Sequence, residues 1–533
     1  MASTPLSPGP VSEAPIPEAA GTTVNLSLIS HTNAGKTTLA RTLLGKDIGE
    51  VRDAAHVTDL ASGHVLVQAG GDTLMLWDTP GFGDTARLLD RLRMSGNPVG
   101  WLLTQVWDRW RERPLWSSQQ AVKNAREQAD VILYLVNAAE DPAAASYVAL
   151  EMEVLAWIGK PVLILLNQMG SPKEDTGGEV QKWLAHVSAH AEVAGALPLD
   201  AFARCWVQEG VLLDRVAPLL VEEKRPAMER LETRWKELNR ERFDASMAAL
   251  AAPLAAALVD SEKVEGGGWR DGLAKALTGG KNDARAATKA MEALSERLAA
   301  GTRESTERLI HLHNLSGSAT RKVLERLSED FRHSDKAPEG FSALLGGILS
   351  GAATGVAADV MAGGLTLGGG MIVGGVLGAI GAGGLAKGIN LARGEDGAHV
   401  RWSRDFFARI LGASLLRYLA VAHFGRGRGE WEEGEHPEYW IAHVEGVLTR
   451  YENEISALYA NGQSVGRTAL EKELRSLLET CATRLLVRLY PEAAKILGTA
   501  PEPAGGEPQD GGDPTGENAP EGPPSPVVRD WSR

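Results

Sequence analysis

Short apolar runs alternate with segments of helical period along residues 23–220. Val24-Asn25-Leu26-Ser27-Leu28-Ile29 reads as a strand, and Thr38 to Leu44 as the helix that follows it. Leu74-Met75-Leu76-Trp77 reads as another strand. Val131 to Asn137 and Pro161 to Asn167 are near-continuous apolar runs. Strands of that kind must be covered on both faces, as in a parallel sheet clothed by helices. The alternation therefore predicts an α/β, doubly wound domain over residues 23–220.

From Val221 the pattern changes. Glu223 to Arg242 is laced with charges of both signs, as on solvated helices. Ala245 to Val259 turns Ala/Leu-rich, and Gly266-Gly267-Gly268 punctuates the run. Three later stretches, Trp402 to Phe424, Trp440 to Tyr459 and Ala469 to Tyr490, have the period of amphipathic helices. The expected order is a Pro/Ser/Ala-rich, disordered start (1–22), the α/β domain (23–220) and a helical region (221–339). A glycine-rich apolar segment (340–394), a helical C-terminal region (395–498) and a disordered, Pro/Gly/acid-rich tail (499–533) follow.

Segment 340–394 carries a second periodicity. Gly347, Gly351 and Gly355 recur every fourth residue, as do Gly370, Gly374 and Gly378, followed by Ala382 and Ala386. That spacing puts small residues along one side of a helix and lets two backbones approach closely. The break from Gly363 to Gly369 turns the chain, so the segment reads as two helices in a hairpin. Asp359 is its only acid, and Val360 to Ala386 has no ionisable side chain. Two readings stand side by side: a hairpin that contacts or enters a bilayer, and a hairpin buried in a helical domain. The first carries a localisation with it, cytoplasmic with peripheral or inserted association at the inner membrane.

Composition narrows the function classes. The 533-residue chain is 44% hydrophobic, enough for a sizeable core, and has a formal charge of −14. An acidic chain of pI about 5.5 argues against a broad nucleic-acid surface. Its two cysteines, Cys205 and Cys481, lie far apart and give no disulfide framework, which suits a reducing cytosol. Residues 1–22 lack the basic start and apolar core of a secretory signal.

The candidate chemistry lies where the first strand meets the first helix. Ser30-His31-Thr32-Asn33-Ala34-Gly35-Lys36-Thr37-Thr38 has the spacing of a phosphate-binding P-loop, with Ser30 where the first glycine normally stands. Backbone N–H groups of such a turn face phosphate oxygens. Lys36 adds a charge near the β- and γ-phosphates, and the Thr37 hydroxyl is a Mg²⁺ ligand. About forty residues on, Asp78-Thr79-Pro80-Gly81 closes a strand. Asp78 is placed to hold the metal through water, and Gly81 lets its N–H approach the γ-phosphate. The expected class is a P-loop NTPase (G) domain followed by a mainly α-helical domain.

Gly35-Lys36-Thr37-Thr38-Leu39, Leu43-Leu44-Gly45 and Asp78-Thr79-Pro80-Gly81-Phe82 resemble the Era/TrmE group of bacterial GTPases, over roughly residues 23–205. The resemblance implies GTP and GDP as ligands, Mg²⁺ as cofactor and slow GTP hydrolysis. It places the first-switch threonine, a ligand of Mg²⁺, at Thr58. It also aligns Asn33 with the P-loop asparagine that in TrmE-like relatives helps hold K⁺. The catalytic set it implies is Lys36, Thr58 and Asn33. The phosphate and base contacts are Asn33, Ala34, Gly35, Lys36, Thr37, Thr38, Asp78, Gly81, Asn167 and Gln168, and the metal set is Thr37, Thr58 and Asp78.

The chain departs from the group in two places. Asn167-Gln168-Met169-Gly170 stands where the group has Asn-Lys-x-Asp, so the guanine-reading carboxylate is absent from its usual position. Phe82 follows the Asp-x-x-Gly turn where Ras-like enzymes carry a water-orienting glutamine, a substitution the Era/TrmE group shares. The connection after the turn is long and Trp-rich. Trp101, Trp107, Trp110 and Trp116 mark residues 101–116 either as a stripe on the protein's own core or as a nucleotide-sensitive surface for a protein partner, a second copy or lipid headgroups. The whole arrangement resembles a bacterial GTPase family with an uncharacterised helical C-terminal domain, a likeness of architecture that carries no activity with it.

Overall fold

The computed structural model describes residues 21–45, 61–83, 85–93, 97, 100, 113–169, 176–199, 205–263, 281–315, 389–394, 397–423, 438–462 and 464–499. Thr58, Gly170, the loop 200–204, residues 101–112 and most of segment 340–394 lie outside the described residues.

Six strands form one sheet: β1 (Thr23–Ser30), β2 (Ser62–Ala69), β3 (Asp72–Asp78), β4 (Val131–Asn137), β5 (Val162–Asn167) and β6 (Val193–Pro198). Their order is β2-β3-β1-β4-β5-β6, and all neighbours are parallel except the β2–β3 hairpin. The sheet is thus mixed. The edge strand β2 passes unnoticed in the sequence because half of Ser62-Gly63-His64-Val65-Leu66-Val67-Gln68-Ala69 is exposed and only Val67 is fully buried.

Burial on both faces explains the apolar runs. Ile132, Tyr134, Val136, Ile164 and Leu166 pack under α2 (Thr85–Arg93), α3 (Arg113–Glu127), α4 (Ser146–Ile158) and α5 (Thr176–His186). The opposite face, with Leu26, Leu28, Leu74, Leu133 and Leu165, meets α1 (Lys36–Leu44) and α6 (Trp206–Val216). This second core runs on without a break into the helical region.

The helical region is built on α7 (Arg225–Val259), 35 residues long with Pro226 in its first turn, where a missing N–H costs nothing. It packs along α8 (Lys281–Leu312), α9 (Arg404–Ala422) and α12 (Arg467–Leu489). Two shorter helices, α10 (Glu438–Arg450) and α11 (Glu452–Asn461), complete the bundle. The interior Pro253 of α7 is met by Gly301 of α8, where an added Cβ would stand 3.1 Å from the proline Cβ. Among the described residues α7 is the core of the one helical stretch long and apolar enough to cross a membrane. Trp235, Phe243, Met247, Leu250 and Leu254 spend that apolarity on internal packing.

Two expectations are corrected. Ile389–Gly394 is a strand (β8), not the end of a helix, and it pairs antiparallel with β9 (Gly397–Trp402). The short β7 (Glu262–Lys263) joins their other side. The helical C-terminal region therefore starts with a strand, and the helix expected from Trp402 begins at Arg404, capped by Ser403 Oγ accepting from the Phe406 N–H. That helix is buried nearly all round rather than amphipathic, because α7, α8, α10 and α12 enclose it.

The helical region is bolted to the sheet. Lys224 Nζ donates to the Thr23 carbonyl at 2.7 Å and to Asp130 at 2.7 and 2.8 Å. Arg230 Nε donates to Asp72 Oδ2 at 2.7 Å, whose Oδ1 takes the Thr22 N–H. Higher up, Trp206 of α6 packs on Trp235 and Phe243 of α7, and its indole N–H donates to Tyr418 Oη at 3.2 Å.

Candidate functional site

The loop from Ser30 to Lys36 turns tightly between β1 and α1. Asn33 takes a positive φ of 69° and Gly35 one of 89°. Asn tolerates that region, and glycine enters it without strain. Gly35 is also required by contact, since a Cβ there would sit 2.7 Å from Asn167 Nδ2. α1 opens directly on the loop, so its free N–H groups and positive dipole end face the same space.

Lys36 folds back over the loop and its Nζ donates to Ser30 Oγ at 2.9 Å. The residue that breaks the glycine pattern therefore has a task of its own. Burial pushes the Lys36 ammonium down to about 8, against the upward pull of Asp78 and Glu151. A bound polyphosphate supplies the negative charge that keeps such an ammonium protonated.

Thr37 Oγ1 donates to Asp78 Oδ2 at 2.7 Å. Burial pushes the Asp78 carboxyl up, while the Thr37 hydroxyl and Lys36 pull it down. Its second oxygen, Oδ1, is buried with no hydrogen-bond partner. An orphaned carboxylate oxygen beside a threonine hydroxyl fits a hard divalent cation, which takes oxygen ligands and keeps several waters. Among the described residues no group of three or more His, Cys, Asp and Glu converges as a metal centre, here or elsewhere.

Asp78 leads into Thr79, whose Oγ1 donates to the Leu28 carbonyl at 2.5 Å, and on to Gly81. A Cβ on Gly81 would lie 2.9 Å from Thr32 Cα and 3.0 Å from Lys36 Nζ, so the turn presses against the loop. The two are stitched by backbone bonds, Thr32 N–H to the Phe82 carbonyl at 3.1 Å and Phe82 N–H to the Ser30 carbonyl at 2.9 Å. The Phe82 side chain is fully buried in the sheet core, so it faces no substrate. The following Gly83 N–H donates to Ser118 Oγ at 3.1 Å, and Ser118 in turn donates to the Pro114 carbonyl. The turn therefore rests on the first two turns of α3, which take in the end of the Trp-rich segment.

At the far side, Asn167 Nδ2 donates to the Ala34 carbonyl at 2.9 Å and is fully buried. Gln168 adopts a positive φ of 58°, next to Gly35. The structure thus gathers Asn33, Ala34, Gly35, Lys36, Thr37, Thr38, Asp78, Gly81, Asn167 and Gln168 at one end of the sheet. Thr58 lies outside the described residues. Asn33 is exposed at the loop tip.

The sequence reading missed Glu151. It is fully buried on α4, and its carboxylate takes His31 Nδ1 at 2.6 Å, Tyr134 Oη at 2.7 Å and Thr85 Oγ1 at 3.2 Å. The available signal was an acid amid the apolar positions Leu150, Met152, Val154 and Leu155.

The fold and this loop define a P-loop GTPase domain, and residues 25–168 match the family model described as 50S ribosome-binding GTPase. The chain belongs to the family of the domain of unknown function DUF3482, whose model matches residues 194–483. The comparison with curated proteins gives no match. Among solved structures, Era in complex with MgGDPNP and a 16S ribosomal RNA segment is 18% identical. It covers 38% of this chain and 58% of its own, with a TM-score of 0.28. Era of Aquifex aeolicus bound to GDP.AlF4⁻ is 19% identical over the same shares, with a TM-score of 0.26. The mGMPPNP-bound NFeoB of S. thermophilus is 14% identical and covers 57% of this chain and 89% of its own, with a TM-score of 0.22. The chain thus spans 58% of the length of each Era structure.

Proposed function

We propose that this chain is a magnesium-dependent GTP-binding switch that hydrolyses GTP slowly and whose nucleotide state acts on its helical region. The observation that carries the reading is the convergence of Lys36, Thr37 and Asp78 on one loop, with Asp78 Oδ1 buried and unpartnered. Thr37 and Asp78, with Thr58 as the first-switch ligand, would hold Mg²⁺. When bound, that ion neutralises phosphate charge. The loop amides and Lys36 bind the β- and γ-phosphates, and the Gly81 N–H faces the terminal phosphate. Phe82 leaves water unoriented from that position. Stimulation by K⁺ at Asn33, or by a partner or second copy docked on 101–116, is the proposed source of rate. The Gly83–Ser118 contact supports a nucleotide-sensitive surface at that segment.

Gly170 leaves guanine recognition without its usual carboxylate, so base choice is the decisive test. Labelled GTP titrated against ATP, with Mg²⁺ present, should bind at least tenfold more tightly; preference for ATP overturns the reading. A second reading, a nucleotide-binding scaffold with negligible turnover, draws on the buried Phe82. Turnover measured with and without K⁺ separates the two. For segment 340–394 we propose contact with a bilayer surface, and liposome flotation that persists after deletion of 340–394 refutes it. The acidic balance of the chain argues against nucleic acid as a partner.

A further inference from the structure

A fully buried carboxylate is costly unless its lone pairs are met, and Glu151 has three donors. They come from three different parts of the site. His31 is the second residue of the phosphate loop, Thr85 opens α2 four residues after Gly81, and Tyr134 lies on β4. His31 is further fixed by Tyr147, whose ring lies 4.4 Å away at 32°. The backbone of His31 is bridged to Phe82, so the loop and the turn cross at this point. The carboxylate grips both sides of that crossing. One oxygen takes the loop histidine and the first hydroxyl of α2 together.

Mere space-filling does not account for this arrangement. Apolar side chains surround Glu151 on α4, and an apolar residue would fill the same volume without needing three donors. Burial and the adjacent Glu151 push the Tyr134 phenol well above the ordinary tyrosine range, which keeps its hydroxyl protonated and able to donate.

We propose that Glu151 is a positioning residue for the terminal phosphate. It fixes the start of α2 against the phosphate loop, and thereby the Gly81 turn, so that the triphosphate is held better than the diphosphate. The proposal rests on the nucleotide reading above. Glu151 itself touches neither phosphate nor metal. It acts through His31 and Thr85, and the contact it supports most directly is the one the Gly81 turn makes with the third phosphate.

The test compares the full chain with its Glu151→Gln, Thr85→Val and Thr85→Ser variants. Fluorescent GDP and a fluorescent non-hydrolysable GTP analogue are the probes, each with Mg²⁺. Glu151→Gln keeps the shape but leaves one acceptor oxygen for three donors, and Thr85→Val removes one donor while keeping the branch. In both variants the GTP-analogue Kd should weaken about tenfold, the factor for one hydrogen bond to a charged group, while the GDP Kd stays within about twofold. Thr85→Ser restores the hydroxyl and should bind like the wild type. If Glu151→Gln fails to fold, Thr85→Val carries the comparison. Equal weakening for both nucleotides means general destabilisation and overturns the proposal. Wild-type values for both variants overturn it as well, with the nucleotide reading intact. A wild-type chain that binds neither probe overturns that reading and this proposal together.

Discussion

Lys36 and Gly35 do different work in the same turn, and their substitutions should fail differently. Lys36 supplies charge, so Lys36→Ala should leave the fold in place and weaken GTP binding on the order of a hundredfold, as read by titration. Gly35 supplies conformation. An alanine there meets a φ of 89° and a Cβ 2.7 Å from Asn167 Nδ2. Gly35→Ala should lower stability by about 1–3 kcal/mol, seen as a shift of the denaturation midpoint with unchanged slope. A stable Gly35→Ala protein with full nucleotide affinity would show that the Asn167 contact yields freely. The loop was legible in the sequence because its chemistry is local, contained in nine consecutive residues. Glu151 was not, because its three partners come from residues 31, 85 and 134 and no linear spacing records their meeting.

Among the elements, those with two buried faces were the readable ones. β1, β4 and β5 announce themselves as apolar runs, and α1 follows from its place after the loop. β2 did not, since an edge strand with one solvated side mixes Ser, His and Gln with Val and Leu. β8 was hidden by composition, because Ile389-Asn390-Leu391-Ala392-Arg393-Gly394 continues a glycine-rich stretch without a break. The element joint that invites measurement is the tie between α7 and the start of β3. The hydrogen bond from Arg230, joined by the Thr22 N–H, holds the Asp72 carboxyl below the ordinary range. A carboxylate with a depressed folded value stabilises the fold above its unfolded value near 4, and loses that contribution as pH falls through the folded value. Asp72→Asn should therefore melt below the wild type at pH 7 by about a degree or two, a modest effect because Arg230 is half exposed. The two melting curves should draw together as pH falls through the lowered folded value of Asp72. A gap that persists in acid would mean that the asparagine disturbs packing rather than charge.

For the molecule as a whole, the shared core matters most. Leu26, Leu74 and Leu133 on the sheet belong to the same buried cluster as Trp235, Phe243 and Tyr418 in the helical region. Residues that far apart in sequence cannot announce such a merger, and the pattern change at Val221 reads as a boundary between independent units. The seam instead predicts joint unfolding. Calorimetry of the full chain should give one cooperative endotherm, shifted upward by GTP and Mg²⁺ as ligand linkage requires. Two well-separated endotherms, with only the lower one moved by nucleotide, would refute the coupling.

The long helix α7 gives that coupling a mechanical meaning. Its foot is pinned at Asp72 and it lies along β2 and β3, and β3 runs on from Asp78 into the Gly81 turn. A straight helix of 35 residues is about 50 Å long. Tilting such a rod by about 5° at the foot carries its far end through roughly 4 Å, close to the width of a methyl group. A rearrangement beneath the hairpin that tilted this foot would reach α8 and α12, which pack along the helix, as a displacement of that size.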